Sequence, residues 1–96
     1  MEFEWDPAKD LDNQRKHGLS FVEAARVFEA EELCLDIFDE SHSDIEERFI
    51  TIGPLLDGLV LVVWTEREVD IVRLISARWA TAAERDLYRH QMEDRP

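Results

Sequence analysis

Cysteine is almost absent from this sequence, which has one thiol, Cys34, among 96 residues. A single cysteine cannot form a disulfide within the chain, and such a composition is typical of a reducing compartment. No apolar run reaches membrane-spanning length, and the acidic first four residues do not resemble a signal peptide. We therefore expect a cytoplasmic protein that does not contact a membrane. A chain of 96 residues also predicts a single domain over residues 1–96.

Motifs that bind metals or phosphate-containing cofactors are missing as well. Cys34 and the three histidines, His17, His42 and His90, do not have the close spacings of a zinc site. The carboxylates do not follow the calcium-loop pattern, and the sequence contains neither a glycine-rich phosphate loop nor a serine-nucleophile elbow. The sequence therefore predicts no metal and no cofactor.

Basic residues are scarce: 11 Lys and Arg face 23 Asp and Glu, for a formal net charge of -12. Because nucleic-acid affinity comes largely from Lys and Arg on phosphates, this balance argues against general nucleic-acid binding. The charge is unevenly distributed, however. Residues 29–47 contain nine acids and no Lys or Arg, and the rest of the chain holds 14 acids against 11 bases. A basic cleft outside residues 29–47 is therefore compatible with the composition.

Two apolar runs dominate the second half of the chain, at residues 59–64 and 69–77, joined by the charged link 65–68. Their β-branched and aromatic residues predict neighbouring strands at the middle of a sheet. Arg73 interrupts the second run and Arg78 follows it. An arginine in a core strand is costly unless its guanidinium is paired or opens into a cleft. We therefore look for a functional site at the strand that carries these two arginines.

The first helix is expected over residues 7–17. Asp6-Pro7 combines an N-cap with proline at the first helical position, and Gly18 is a typical left-handed C-cap. Leu11 is interpreted as the main apolar anchor of this helix. At about 100° per residue, the face opposite Leu11 carries four polar residues: Lys9, Asn13, Lys16 and His17. This face is either a solvated helix surface or part of a functional site.

The remaining segments complete an α+β pattern. The capping box of Ser20 and Glu23 opens a second helix, and a second capping box at 81–84 opens a C-terminal helix to about residue 92. Further strands are expected at 3–5, 33–38 and 48–53, and the polar residues 39–47 are expected to form a loop. Two N-terminal helices, a mainly antiparallel sheet of four to five strands and a C-terminal helix together predict an α+β fold.

The order of motifs resembles the BrnT family of toxins over nearly the whole chain. The opening motif is Trp5-Asp6-Pro7, Lys9, Asn13, Lys16-His17-Gly18, Ser20-Phe21 and Glu23-Ala24. The middle motif is Asp39, His42-Ser43, Glu46-Glu47-Arg48-Phe49 and Gly53, and the closing one is Arg73, Ile75-Ser76-Ala77-Arg78, Ala80, Glu84 and Tyr88. This resemblance implies a RelE/ParE-like fold. It also implies an endoribonuclease toxin of a type II toxin–antitoxin system that cuts RNA without a metal and inhibits translation.

Metal-free RNA cleavage needs a base, an acid and cations that stabilise a phosphorane. The resemblance and these requirements together indicate four catalytic candidates: His17, Glu46, Arg48 and Arg78. Four further residues are candidates for RNA binding: Lys9, Lys16, Arg73 and Trp79. Structural alternatives stay open, because Glu46 and Arg48 could form a cross-strand ion pair and Arg73 could be a paired core arginine. Trp79 replaces an expected basic residue and could stack on a base or anchor a protein interface.

Two functions follow from these observations. The first is the ribonuclease toxin, held inactive by a cognate BrnA-like antitoxin in a hetero-oligomer. In that case the ribbon–helix–helix portion of the antitoxin would bind operator DNA for both proteins. The second is a non-catalytic protein-binding module that keeps the toxin fold and the antitoxin interface and acts in operon autoregulation. The net charge of -12 favours the second function. We interpret the acidic residues 39–47 as a surface that meets a basic partner segment or keeps RNA from one edge.

Overall fold

The computed structural model describes residues 1–42 and 46–93, and within them the chain forms three helices and one five-stranded sheet. The α+β class predicted from the sequence is confirmed. The helices are α1 (Pro7–His17), α2 (Phe21–Ala25) and α3 (Ala82–Glu93). The strands are β1 (Glu2–Glu4), β2 (Leu35–Phe38), β3 (Phe49–Leu55), β4 (Gly58–Glu68) and β5 (Ile71–Trp79). Two short 3₁₀ segments, Arg26–Leu33 and Glu40–His42, flank β2.

The sheet is mixed, with the strand order β1-β5-β4-β3-β2. Strands β2 to β5 pair antiparallel, whereas β1 pairs parallel with β5 and places Glu4 opposite Arg73. The prediction of a mainly antiparallel sheet did not include this parallel pair. Sequence patterns show which segments are strands, but the direction of β1 depends on the long path between β1 and β5.

The central hairpin is longer than the sequence indicated. Residues 65–68, predicted as a link, belong to β4, and the turn comes at Val69 and Asp70. Val69 is 86% exposed and Asp70 has a left-handed φ of 66°. Irregularities in the β4–β5 register lie between Val63 and Trp64 and near the turn. The hairpin therefore extends beyond the core, and there its backbone pairing continues through charged residues.

The core lies on one face of the sheet, called here the first face, which α2 and the segment Arg26–Leu33 cover. Gly53 allows this close packing, because a Cβ at Gly53 would lie 2.6 Å from Cγ1 of Val27. The buried apolar residues of the core come from both layers: Leu19, Phe21, Ala24, Val27, Cys34, Leu55, Val60, Val62, Val72, Leu74 and Ala77. The opposite face of the sheet is called the second face.

Helix α1 is anchored by a polar residue. The end signals are confirmed, since Asp6 caps the amide of Ala8 at 2.9 Å and Gly18 is left-handed with φ 69°. The predicted anchor is wrong: Leu11 is 61% exposed, whereas Asn13 is 5% exposed. Leu11 was assigned as the anchor by hydrophobicity alone. The side of α1 that packs on the fold is the side of Asn13, and it faces the unpaired backbone edge of β5 at Ala77.

Asn13 completes the edge of the sheet beyond β1. Its side chain donates to the carbonyls of Leu19 (2.9 Å) and Ala77 (2.8 Å) and accepts from the Ala77 amide (3.1 Å). Strand β1 pairs with β5 only as far as Arg73. The carboxamide of Asn13 thus provides the hydrogen bonds that a further strand residue would provide, and it fixes α1 beside the end of β5.

Candidate functional site

A groove on the second face brings two of the predicted arginines together. It has a volume of about 270 Å³ and is lined by Asp39, Arg48, Ile50, Leu61, Val63, Ile75, Ser76, Arg78 and Glu84. Neighbouring side chains of a strand alternate between faces, so Arg78 points to the second face while Ala77 packs in the core. Arg48 precedes β3 and Arg78 is near the end of β5, with β4 between the two strands.

Arg78 is held by the first turn of α3. Its Nη1 and Nη2 donate to the two carboxylate oxygens of Glu84 at 2.7 and 2.8 Å. This forked pair lowers the pKa of Glu84 to about 2 and raises the pKa of Arg78. Glu84 also accepts from the Thr81 amide at 2.8 Å, and its own amide donates to Thr81 Oγ1 at 3.2 Å. The predicted capping box of α3 is therefore confirmed, and the same carboxylate orients Arg78.

Arg48 forms the other basic part of the groove. Its Nε lies 3.7 Å from Oε1 of Glu46, so the two residues form an ion pair. The pair is not the cross-strand pair anticipated as an alternative, because Glu46 and Arg48 both precede β3. The Arg48 carbonyl accepts from the amide of Asp39 at 2.9 Å, which places Asp39 on the rim. The groove thus combines two guanidinium groups with nearby carboxylates and an apolar floor.

A larger cleft of about 610 Å³ lies at the other end of the sheet, beyond the core. Its charged lining consists of five glutamates and one arginine: Glu4, Glu46, Glu47, Glu66, Glu68 and Arg67. Such a concentration of carboxylates repels phosphate. Size alone would favour this cleft as a binding site, but its charge makes the smaller groove the better site for an anion. Glu46 lies between the two, since it lines the cleft and contacts Arg48.

The candidates on α1 lie apart from the residues that line the groove. Lys9, Lys16 and His17 are exposed, and Lys16 forms an ion pair with Asp12 at 2.9 Å. The anchoring of Asn13 to Ala77 places the C-terminal half of α1 beside the end of β5 that carries Arg78. His17 is one helical turn beyond Asn13, so the same anchor sets its position.

Arg73 and Trp79 do not line the groove among the described residues. Arg73 donates to Glu4 at 2.6 Å across the β1–β5 pair, which matches the structural alternative of a paired arginine. Trp79 is 42% exposed, and two residues along β5 from Ala77 its side chain belongs to the first face. Its ring covers Gly58, where an added Cβ would lie 2.9 Å from Cζ3.

Sequence reasoning missed the role of Glu84 beside Arg78. Glu84 was assigned to a capping box and to the closing motif of the resemblance, without a role beside Arg78. The signal that could have identified this role is the short spacing between Arg78, at the end of a strand, and the N3 position of the next helix. The apolar floor of Ile50, Leu61 and Val63 was also missed, because continuous apolar runs do not show which of their residues share a face. Face assignment requires the strand register, which the pattern alone does not give.

Residues 1–42 and 46–93 contain neither a cluster of metal ligands nor a helix that could span a membrane. No group of three or more His, Cys, Asp or Glu side chains in these ranges is arranged to hold a metal ion. No helix in these ranges is both long and apolar enough to cross a bilayer. Of the predicted polar loop 39–47, residue Ser43 and its two successors lie outside the described residues.

Comparison with known proteins identifies a matching family and a similar solved structure. The model of a family described as "Ribonuclease toxin, BrnT, of type II toxin-antitoxin system" matches residues 5–84. Among solved structures, the chain is similar to the crystal structure of the ribonuclease toxin BrnT of Brucella abortus. The TM-score is 0.64 and the identity 24%, over 84% of this chain and 97% of that chain. At this identity the structural likeness shows the fold. Comparison with curated proteins gave no match.

Proposed function

The chain belongs to the BrnT family of ribonuclease toxins of type II toxin–antitoxin systems, and on this premise we propose that it is a metal-independent endoribonuclease that inhibits translation. Its fold would then be of the RelE/ParE type, as one domain over residues 1–96, and it would act in the cytoplasm. The observation that supports this function best is the convergence of Arg48 and Arg78 on one groove. Forked, permanently charged donors match the oxygens of a phosphate and of the phosphorane formed from it.

Cleavage requires proton transfer in addition to charge stabilisation. A base removes the proton of the 2′-hydroxyl, the 2′-oxygen attacks phosphorus, and an acid protonates the departing 5′-oxygen. Glu46, which contacts Arg48, and His17, whose imidazole can both accept and donate a proton, are the proposed proton-transfer groups. Lys9, Lys16, Arg73 and Trp79 are proposed to hold the rest of the RNA outside the groove.

The test is cleavage of an end-labelled RNA by purified protein free of antitoxin, in the presence of EDTA. We expect the wild type to cut the RNA and Glu46→Gln and His17→Ala to cut it more slowly. Gln14→Ala is a suitable control for His17→Ala, because Gln14 is exposed on the same helix and its side chain bonds Asp10. If the well-folded wild type leaves naked RNA and ribosome-bound mRNA intact, the proposed activity is wrong. Unchanged cleavage by His17→Ala would remove the role of that residue alone.

The proposed partner is a BrnA-like antitoxin, which would inactivate the toxin in a hetero-oligomer and bind operator DNA for both proteins. The acidic cleft supports this division of roles, because a surface with five glutamates opposes direct DNA binding. Basic segments of an antitoxin would instead be attracted to it. Antitoxin affinity that is insensitive to salt and to neutralisation of these glutamates would exclude the cleft from the interface.

The second candidate function is a non-catalytic module that keeps the antitoxin interface. The pairing of each candidate arginine with a carboxylate favours it: Arg48 with Glu46, Arg73 with Glu4, and Arg78 with Glu84. Paired guanidinium groups attract phosphate less than free ones. Antitoxin binding and operator repression without RNA cleavage would support this function over the nuclease.

A further inference from the structure

The guanidinium of Arg78 is engaged on one edge. Glu84 accepts one hydrogen bond from each of the two terminal nitrogens, so it occupies the end of the guanidinium fork. The other N–H of Nη1 faces the carbonyl of Trp79 at 3.4 Å. An arginine has five N–H donors in one plane. Two of the five are left, the N–H of Nε and the second N–H of Nη2, and they lie parallel on the side of the fork.

This side edge has the chemistry of an anion site. No described residue accepts a hydrogen bond from Nε of Arg78, and Arg78 lines the groove beside Ser76 and Val63. Two parallel N–H groups on a permanent charge match two oxygens of one phosphate. The apolar floor beneath the groove strengthens such an interaction, because it excludes water from one side.

Glu84 is itself rigidly placed. Its carboxylate accepts from the Thr81 amide, and its backbone amide is capped by the Thr81 hydroxyl. The contacts with Thr81 thus hold the carboxylate at the start of α3 independently of its pair with Arg78. A side chain with many rotamers, such as arginine, gains a defined orientation from a partner of this kind.

We propose that Glu84 is a positioning residue, which holds Arg78 by the end of its fork so that the side edge presents Nε and Nη2 to a phosphate in the groove. The proposal rests on the proposed function and names the part of the substrate that the groove recognises, a phosphate of the RNA backbone. The opposite view is that Glu84 only competes with phosphate for Arg78. The two views predict opposite effects of removing the Glu84 charge. Cleavage activity falls under the first view and rises under the second.

Cleavage kinetics separate the two views. Glu84→Gln keeps an acceptor for the Thr81 amide but loses the second oxygen and the charge. Asp86→Asn is the matched control, because it makes the same charge change on the same helix, in an exposed pair with Arg89 at 3.6 Å. We expect Glu84→Gln to lower kcat by up to about 100-fold, as small misplacements of catalytic groups do, with little change in KM. We expect Asp86→Asn to behave as the wild type does.

A double variant tests whether Glu84 acts through Arg78. If it does, Glu84→Gln has no further effect on cleavage in an Arg78→Ala protein. Activity of Glu84→Gln at or above that of Asp86→Asn overturns the proposal, and so does an undiminished effect in the Arg78→Ala background.

A binding measurement tests the proposal independently of cleavage. The probe is a mixed-sequence RNA dodecamer with 2′-O-methyl groups, which cannot be cut by attack of a 2′-hydroxyl. We expect it to shift the Nε–H resonance of Arg78 in ¹⁵N spectra of the wild type and Asp86→Asn, and much less in Glu84→Gln. If the wild type cuts no RNA, the proposed nuclease is refuted. The shift of the Arg78 Nε–H resonance still tests whether Glu84 positions Arg78 for a phosphate. An Nε–H signal that does not move, or that moves equally in Glu84→Gln, overturns it.

Discussion

Asn13 shows how one residue sets the position of an element. The helix that carries it has little apolar surface, and the exposed Leu11 contributes little to packing. Three hydrogen bonds from the buried carboxamide join α1 to Leu19 and to the edge of β5 at Ala77. A typical hydrogen bond contributes about 1 kcal/mol net, and a buried group left without its partner costs about 1–3 kcal/mol. Asn13 therefore matters more to α1 than any of its apolar residues.

Replacing Asn13 by alanine is expected to destabilise the protein by about 3 kcal/mol, because the amide and carbonyl of Ala77 lose their partner. The measurement is urea unfolding followed by circular dichroism. Gln14→Ala is the control, since Gln14 is exposed and its side chain bonds Asp10, and its effect should stay within about 0.5 kcal/mol. Equal effects of the two substitutions would show that the Asn13 bonds contribute nothing to stability.

Local signals were predictable from the sequence, whereas Asn13 was not. The caps at Asp6, Gly18 and Ser20 depend on a few neighbouring residues, and all three are present in the structure. The role of Asn13 depends on Ala77, which lies 64 residues along the chain, beyond the point where β1 stops pairing with β5. A helical pattern cannot contain that information, so Asn13 was grouped with the solvent-exposed Lys9 and Lys16.

At the scale of elements, specific contacts join α3 to β5 and to the segment Arg26–Leu33. Arg78 pairs with Glu84, and the Tyr88 hydroxyl donates to the Leu33 carbonyl at 2.6 Å. The pKa of Glu84 is lowered to about 2 in the folded protein, chiefly by the Arg78 hydrogen bonds. A lowered pKa stabilises the fold above the ordinary value of 4.5, and this stabilisation disappears as the pH falls from 4.5 toward 2.

The stability difference between the wild type and Glu84→Gln is therefore expected to depend on pH. Because Arg78 is 37% exposed, solvent screening reduces the pair to about 1 kcal/mol at pH 7. Urea unfolding at pH 7 should show this difference, and unfolding near pH 2 should show it largely lost. Asp86→Asn, in an exposed pair, should differ little from the wild type at either pH. A Glu84→Gln deficit that is the same at pH 2 and pH 7 would contradict the assigned cause.

The site was predictable in its residue types but not in its arrangement. An arginine within or after a core strand must be paired or open into a cleft, and both outcomes occur: Arg73 is paired with Glu4, and Arg78 is paired and lines the groove. Which residues share a face depends on the register of three strands and on the irregularity near Val63. A shift of one residue reverses every face, so the groove could not be derived from the pattern.

At the scale of the whole molecule, charge is separated along the sheet. The acidic cleft occupies the end with the β4–β5 turn, and Arg78 lies near the opposite end of β5. The net charge of -12 opposes the approach of RNA, and screening by salt reduces that repulsion. The composition predicted weak attraction to nucleic acid. The separation of charge explains how an anion site can nevertheless exist on the same chain.

Removing negative charge near the β4–β5 turn is expected to strengthen RNA binding without changing the rate of the cleavage step. The double substitution Glu66→Gln and Glu68→Gln removes two charges from the cleft, and neither residue lines the groove. We expect it to raise the affinity for an uncleavable 2′-O-methyl RNA several-fold at 20 mM salt, and to have little effect at 500 mM salt, where the Debye length is only about 4 Å. Fluorescence anisotropy measures both affinities. An equal gain at both salt concentrations would mean that the two glutamates contact the RNA directly.

The most direct test of the central claim, that RNA is cut in the groove of Arg48 and Arg78, is kcat/KM for RNA cleavage by four single arginine-to-alanine variants. Arg48→Ala and Arg78→Ala alter the groove, while Arg26→Ala and Arg89→Ala remove the same charge from exposed positions that do not line it. We expect the first two to lose about 100-fold or more, the scale of a lost transition-state donor, and the other two to stay within about ten-fold. Equal losses in all four would show that only overall charge matters, and the groove would not be the site of cleavage.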